Sequence, residues 1–138
     1  MKQLSCLAAA ILIGCGTGPT QFETDLAKFV TEAKRMANQM DMSMPTLDRA
    51  QQAQQVRLIL AGLNPTTDEE RDGYQTASAL YDALATKSDC LDNLVKYGKF
   101  FQENESNKFL QRMRTKVDAA LDQSSKDIAT HLATLESK

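Results

Sequence analysis

From Phe22 to Leu135 the apolar residues recur three and four apart, and no run alternates apolar with polar side chains as a half-buried strand does. That period confines the chain to amphipathic helices packed on one another, so the expected fold class is all-α. Thr20 with Glu23 makes a capping-box pattern ahead of Phe22, Leu26, Phe29, Val30, Ala33, Ala37 and Met40. Met44-Pro45 closes this first helix, because the residue before a proline is pushed out of the helical region. A second helix opens near Pro45 or Thr46 and carries Leu47, Ala50, Ala53, Val56, Ile59, Leu60 and Leu63, with Gly62 and Asn64-Pro65 as its stop. Thr67 with Glu70 is another capping box. It heads a third helix whose stripe is Tyr74, Ala77, Tyr81 and Leu84.

Beyond this point the pattern predicts two more helices. Ser88 or Asp89 is expected to cap a fourth with Leu91, Leu94, Val95, Gly98 and Phe101. Ser106 is expected to cap a fifth with Phe109, Leu110, Met113, Val117, Leu121, Ile128, Leu132 and Leu135. Short connections make neighbours antiparallel, giving a single small bundle of four to five helices. From Ser106 to Glu136 a continuous helix would be about 46 Å long. A compact domain of this size is roughly 35 Å across, so that helix must overhang or break. Asp122-Gln123-Ser124-Ser125 is the expected break, since mediocre helix formers dominate it. Ser124 and His131 fall on the seam beyond it, which marks the C-terminal stretch as loosely packed and as a partner surface.

The N-terminus carries a different signal. Met1-Lys2 is positive, and Leu4 to Ile13 is uncharged and largely apolar. A bilayer-spanning helix needs about 20 apolar residues, so this run fits the hydrophobic region of a secretory signal. Leu12-Ile13-Gly14-Cys15, which ends it, resembles the bacterial lipobox, although Ile13 is bulkier than the commonest residue there. The resemblance implies cleavage between Gly14 and Cys15, with Cys15 carrying diacylglycerol on sulfur and an N-acyl chain. It also implies the cell envelope as location. In Gram-negative lipoproteins a Gly16 rather than an Asp implies the outer membrane, facing the periplasm. At ~0.8 kcal/mol per buried methylene, two or three acyl chains would anchor the chain durably. The expected organisation is a signal peptide over 1–14, a lipidated tether over 15–19, a helical bundle over 20–104 and a C-terminal helix over 105–138, packed on the bundle or projecting from it. The tether from Cys15 to Thr20 spans at most ~17 Å. Cys6 would leave with the signal, so Cys90 remains, either buried as a small hydrophobe or open to a partner.

Composition narrows the chemistry. Sixteen basic against 18 acidic residues exclude a strongly basic nucleic-acid binder, so no nucleic acid is expected as partner. One histidine and three cysteines leave little for zinc or for histidine-dependent catalysis. There is no glycine-rich phosphate loop, serine elbow or paired-cysteine spacing, and His131 stands alone. The Asp68-Glu69-Glu70-Arg71-Asp72 run suits the first turn of a helix. No catalytic residue is assigned, and a non-enzymatic role is expected.

Four of the six methionines lie at Met36, Met40, Met42 and Met44. Thioethers select soft ions such as Cu(I) or Ag(I), and the cluster resembles the metal-binding segments of periplasmic metal-resistance proteins. The other reading places Met36 and Met40 in the core and Met42 and Met44 in the turn after it. Charge is uneven as well. Asp68 to Asp92 holds seven acids against two bases, and Asn93 to Val117 six bases against two acids. Either adjacent helices of opposite sign cancel within the bundle, or Lys96, Lys99, Lys108, Arg112 and Lys116 form a basic face for anionic headgroups.

Leu26 to Glu103 resembles the secretin pilotins, small lipidated helical proteins, through Met44-Pro45, Gly62-Leu63-Asn64, Tyr81 and Cys90. The chain departs from that family in having Leu63 for the usual tryptophan and a longer tail beyond Asn104. It also has Met40 or a neighbour where the family has the cysteine that pairs with the one at Cys90. The resemblance implies a bundle groove that holds a partner's amphipathic helix. Together these readings lead to a membrane-anchored adaptor with an envelope protein as partner, or alternatively to soft-metal binding at Met36–Met44.

Overall fold

The computed structural model describes residues 18–137, so the signal segment and Cys15 lie outside it. Four helices follow in order: α1 (Gln21–Gln39), α2 (Thr46–Ala61), α3 (Asp68–Glu103) and α4 (Lys108–Glu136), with no strand among the described residues. The all-α expectation holds, with four helices. None of them is long and apolar enough to cross a membrane.

Local signals set most of the ends. Thr20 Oγ1 accepts from the Glu23 amide at 3.1 Å while Glu23 returns a carboxylate to the Thr20 amide at 2.8 Å, completing the capping box. Thr67 accepts from the Glu70 amide at 3.1 Å. Here the box departs from expectation: Glu70 reaches the amide and hydroxyl of Thr66, both at 2.9 Å, and accepts from the Thr20 hydroxyl at 3.1 Å. One carboxylate thereby ties the start of α1 to the start of α3. These amide and hydroxyl donors, the Thr66 amide foremost, hold its carboxyl below the usual range.

The helices run up, down, up and down, with α2 packed on α1 and α3 but not on α4. Phe22, Phe29, Ala33, Met36 and Met40 of α1 and its C-cap meet Val56 and Leu60 of α2, Ala77, Leu80, Leu84 and Leu91 of α3, and Ile128 and Leu135 of α4. Phe22 and Leu26 lie close over Gly73, where α1 crosses α3. Lys34 Nζ pairs with Glu136 at 2.8 Å, fastening the end of α4 to α1.

Three expectations fail for physical reasons. Leu47 and Ala50 point outward, with Leu47 67% exposed, because the seam of α2 runs Arg49, Ala53, Val56, Leu60 and on to Leu63. A charged residue occupies the first inward position. Second, α3 does not end at Ser88. Ser88 is buried inside the continuous seam Leu84, Ser88, Leu91 and Leu94. Its low helix propensity costs only a few tenths of a kcal/mol. Stopping there would orphan eight backbone groups. Third, α4 neither starts with Ser106 as cap nor breaks at Asp122–Ser125. Asn107 caps it, accepting from the amides of Phe109 and Leu110, both at 3.1 Å. The Ser124 and Ser125 hydroxyls bond back to the Leu121 carbonyl at 3.0 and 2.9 Å, which satisfies them within the helix, and the burial of Ser124 against α3 carries α4 through this stretch.

The overhang therefore lies at the other end of α4. With 36 residues α3 is about 54 Å long against about 28 Å for the 19 residues of α1. The common core ends on α3 at Leu91. Beyond it α3 and the first half of α4 project together as a two-helix hairpin. Leu94 and Phe101 are buried within it. Gln111 Nε2 donates to the carbonyls of Phe101 and Asn104 at 3.2 and 3.3 Å, closing the turn. The C-terminal stretch, by contrast, is well packed through Ser124, Ile128 and Leu135.

Candidate functional site

The projecting hairpin has no helix on either flank, so side chains off its seam stay in solvent. Tyr97, Phe100, Phe109 and Met113 are 41%, 51%, 62% and 43% exposed. Phe109 and Met113 were expected to point inward. The seam of α4 passes instead through the half-buried Leu110, Val117 and Leu121. Tyr97 and Phe100 are three apart on α3, and Phe109 and Met113 four apart on α4, so each pair lies on one helix face. The turn at Asn104–Asn107 sets Phe100 level with Phe109, and Tyr97 level with Met113. The four make one apolar patch beside the hairpin tip.

Basic residues rim this patch. The Lys96 ammonium sits 5.2 Å from the centre of the Tyr97 ring. Lys108, Arg112 and Lys116 are exposed, and like Lys96 they form no ion pair among the described residues. Lys99 and Arg114 are spent locally on Glu103 and Asp118, at 3.8 and 3.1 Å. Because α3 is unbroken, the acidic and basic segments are not neighbouring helices that cancel. They occupy opposite ends of one long hairpin.

The same face continues toward the bundle as a shallow groove of about 410 Å3 between α3 and α4. Small residues floor it, with Ala79 and Ala83 from α3 and Ala120 and Ser124 from α4. Asp82, Asp127 and His131 stand on its walls.

Other residues singled out from the sequence go elsewhere. Met36 and Met40 are buried in the common core, Met42 is 51% exposed, and Met44 is half-buried. The Met44 carbonyl accepts from Arg49. The four thioethers are thus divided between interior and surface. Among the described residues, no group of three His, Cys, Asp or Glu could hold a metal ion. Cys90 is buried and its thiol is free, and that burial pushes the thiol up from its ordinary value. Asp68 pairs with Arg71 in the first turn of α3.

Sequence reasoning missed Arg49. Its guanidinium is fully buried and donates to the Asp41 carbonyl at 2.9 Å, to the Met44 carbonyl, to Thr46 Oγ1 at 3.3 Å and to the Asp92 carboxylate. It stitches the α1–α2 turn to α3 just where the hairpin leaves the bundle. Tyr97 and Phe100 were missed as well. The available signal was aromatics off the seam with lysines beside them. Compared with known proteins, the chain matches no family model, no curated protein and no solved structure.

Proposed function

We propose that the chain is a lipid-anchored envelope protein, without enzymatic chemistry of its own, whose α3–α4 hairpin face docks a protein partner. The observation that carries this reading is the patch of Tyr97, Phe100, Phe109 and Met113 with its unpaired basic rim. Large apolar side chains gathered on one surface and bordered by charge mark interaction sites. Two parallel ridges with a furrow between them suit an amphipathic helix laid along it, the mode that the pilotin resemblance implies.

The position of the tether supports the same reading. Thr20 is bonded to Glu70 at the start of α3, so a lipid on Cys15 would sit at the end of the molecule away from the hairpin tip. The patch would reach about 50 Å from that end, well placed to meet a protein. The turn itself, Glu103-Asn104-Glu105-Ser106-Asn107, is polar and acidic, which suits sideways docking better than insertion of the tip into lipid.

A photo-crosslinker at Phe100 in the full chain, expressed in an envelope-bearing host, should capture a discrete protein. The capture should fall when Phe109 is changed to Asp. Phe100 adducts to lipid alone would overturn the docking reading. Cys15→Ser should move the chain from the membrane fraction to the soluble fraction, and retention in the membrane would overturn the anchor.

A further inference from the structure

The docking face has two unlike halves on the same two helices. On α3 the positions Ala79, Ala83, Thr86, Asn93, Tyr97 and Phe100 follow one another at helical spacing on either side of the buried Cys90. On α4 the matching stripe runs Phe109, Met113, Lys116, Ala120 and Asp127. One end of this face is exposed, aromatic and basic. The other is concave, floored by alanine, and walled by Asp82 and Asp127.

From this self-complementarity we infer that the occupant of the face is a second copy of the chain. The inference rests on the hairpin face being a docking surface, and it names the partner. Two hairpins pack antiparallel about a two-fold axis that lies in the interface and crosses the helices. In a two-fold interface each patch meets its complement twice, which this face permits. Here α3 lies on α3 of the partner and α4 on α4. The Lys96–Phe100 segment of one copy reaches Asp82 of the other, and the Phe109–Arg112 segment reaches Asp127.

The spacing fits. The centres of patch and groove are about sixteen residues apart on α3, about 24 Å, so the axis crosses midway, level with Leu91 on α3 and Asp118 on α4. From Ala79 to Phe100 the face is about 33 Å long, and two helices make it about 20 Å wide. Its area, on the order of 650 Å2, falls in the range of a specific interface. Phenylalanine rings on one side face alanines on the other, large side chains opposite small ones.

Other occupants satisfy one half only. An anionic lipid surface would attract the rim of Lys96, Arg112 and Lys116 but would be repelled by Asp82 and Asp127. An acidic amphipathic helix would cover the patch and leave the acidic groove unmatched. A second copy answers both ends with the same contacts.

Sedimentation equilibrium of the full chain in density-matched detergent tests this directly. The expected mass is that of a dimer. Phe100→Asp with Phe109→Asp, both exposed and so harmless to folding, should weaken it more than about tenfold with unchanged helical circular dichroism. Asp82→Lys should also weaken it, and adding Lys96→Asp to Asp82→Lys should restore it, as lost folding would not. A monomer at all concentrations, or a dimer indifferent to these substitutions, overturns the inference. If the monomer still yields a crosslink from Phe100 to another envelope protein, self-association falls and the docking surface stands. If it yields none, both fall.

Discussion

Arg49 shows how one side chain can govern the join between bundle and hairpin. A buried guanidinium is costly unless its donors are used, and the two terminal nitrogens of this one serve two turn carbonyls, a hydroxyl and a carboxylate, while Nε is left without a partner. Those carbonyls belong to a tight turn whose other partner is Asp41. The Asp41 carboxylate accepts from the Ser43 amide at 2.8 Å and the Met44 amide at 3.2 Å, and from the Ser43 hydroxyl. The Ser43 bonds above all hold the Asp41 carboxyl below its ordinary value. Removing Arg49 would strand the carbonyls and leave Asp92 without its cation. Arg49→Ala should destabilise the fold by about 3 kcal/mol, measured by urea unfolding, the lower end for a broken pair because Asp92 is 34% exposed. Arg49→Lys should recover only part of that loss, because an ammonium cannot fork between turn and helix. An unchanged unfolding midpoint for Arg49→Ala would show that the contacts carry no net stability.

At the scale of elements, the helix starts govern the acid response. Glu70 bridges α1 and α3, and its folded-state carboxyl is held below its unfolded value, the ordinary range near pH 4. Its contribution is therefore complete above that range, and it is lost as pH falls through the lower folded value. Glu70→Gln should flatten the acid limb of the stability profile while leaving its shape above about pH 6 unchanged, as read by thermal unfolding at stepped pH. An acid limb as steep as the parent's would assign the acid sensitivity to other carboxylates.

The hairpin makes a second prediction at this scale. Its first α4 turn depends on the Asn107 cap, and no residue of α4 before Ser124 is buried. Amides from Lys108 to Val117 should exchange with solvent sooner than those from Ile128 to Leu135, compared at a dilution where sedimentation shows a monomer. Equal protection would show that the hairpin does not open separately from the core.

The caps at Thr20 and Thr67 were legible in the sequence because a cap is decided within four residues. Ser88 was not. The same serine serves as a cap if a helix begins there and as a small seam residue if one passes through, and only the helix lying opposite decides which. Phe109 was misplaced for a related reason. Phe109 and Leu110 both fit a helical period, and a rotation of one residue about the axis exchanges inside for outside.

For the whole molecule, the consequence of a long α3 is polarity along one axis. A short α1 and α2 cover only the lower part of α3 and α4, so the upper part stands free with its aromatics exposed. The sum of charges is close to zero, yet acids gather toward one end and bases toward the other. Near neutrality in composition thus conceals a strongly graded surface. Such a surface favours ordered, antiparallel contact and loses strength with salt, since the rim charges are solvent-exposed.

What the sequence by itself determined was the helical class, the two threonine caps, the start of α2 at Pro45-Thr46 and its stop near Gly62, all of them governed by neighbours within one turn; the first helix ends at Gln39, before the expected stop at Met44-Pro45. Tertiary structure alone decided that α3 runs through Ser88, that Arg49 takes a core position, and that Tyr97, Phe100, Phe109 and Met113 share an outer face. The reason is physical: backbone capping is local. Which side of a helix is inside depends on which helix covers it and on how far that helix extends.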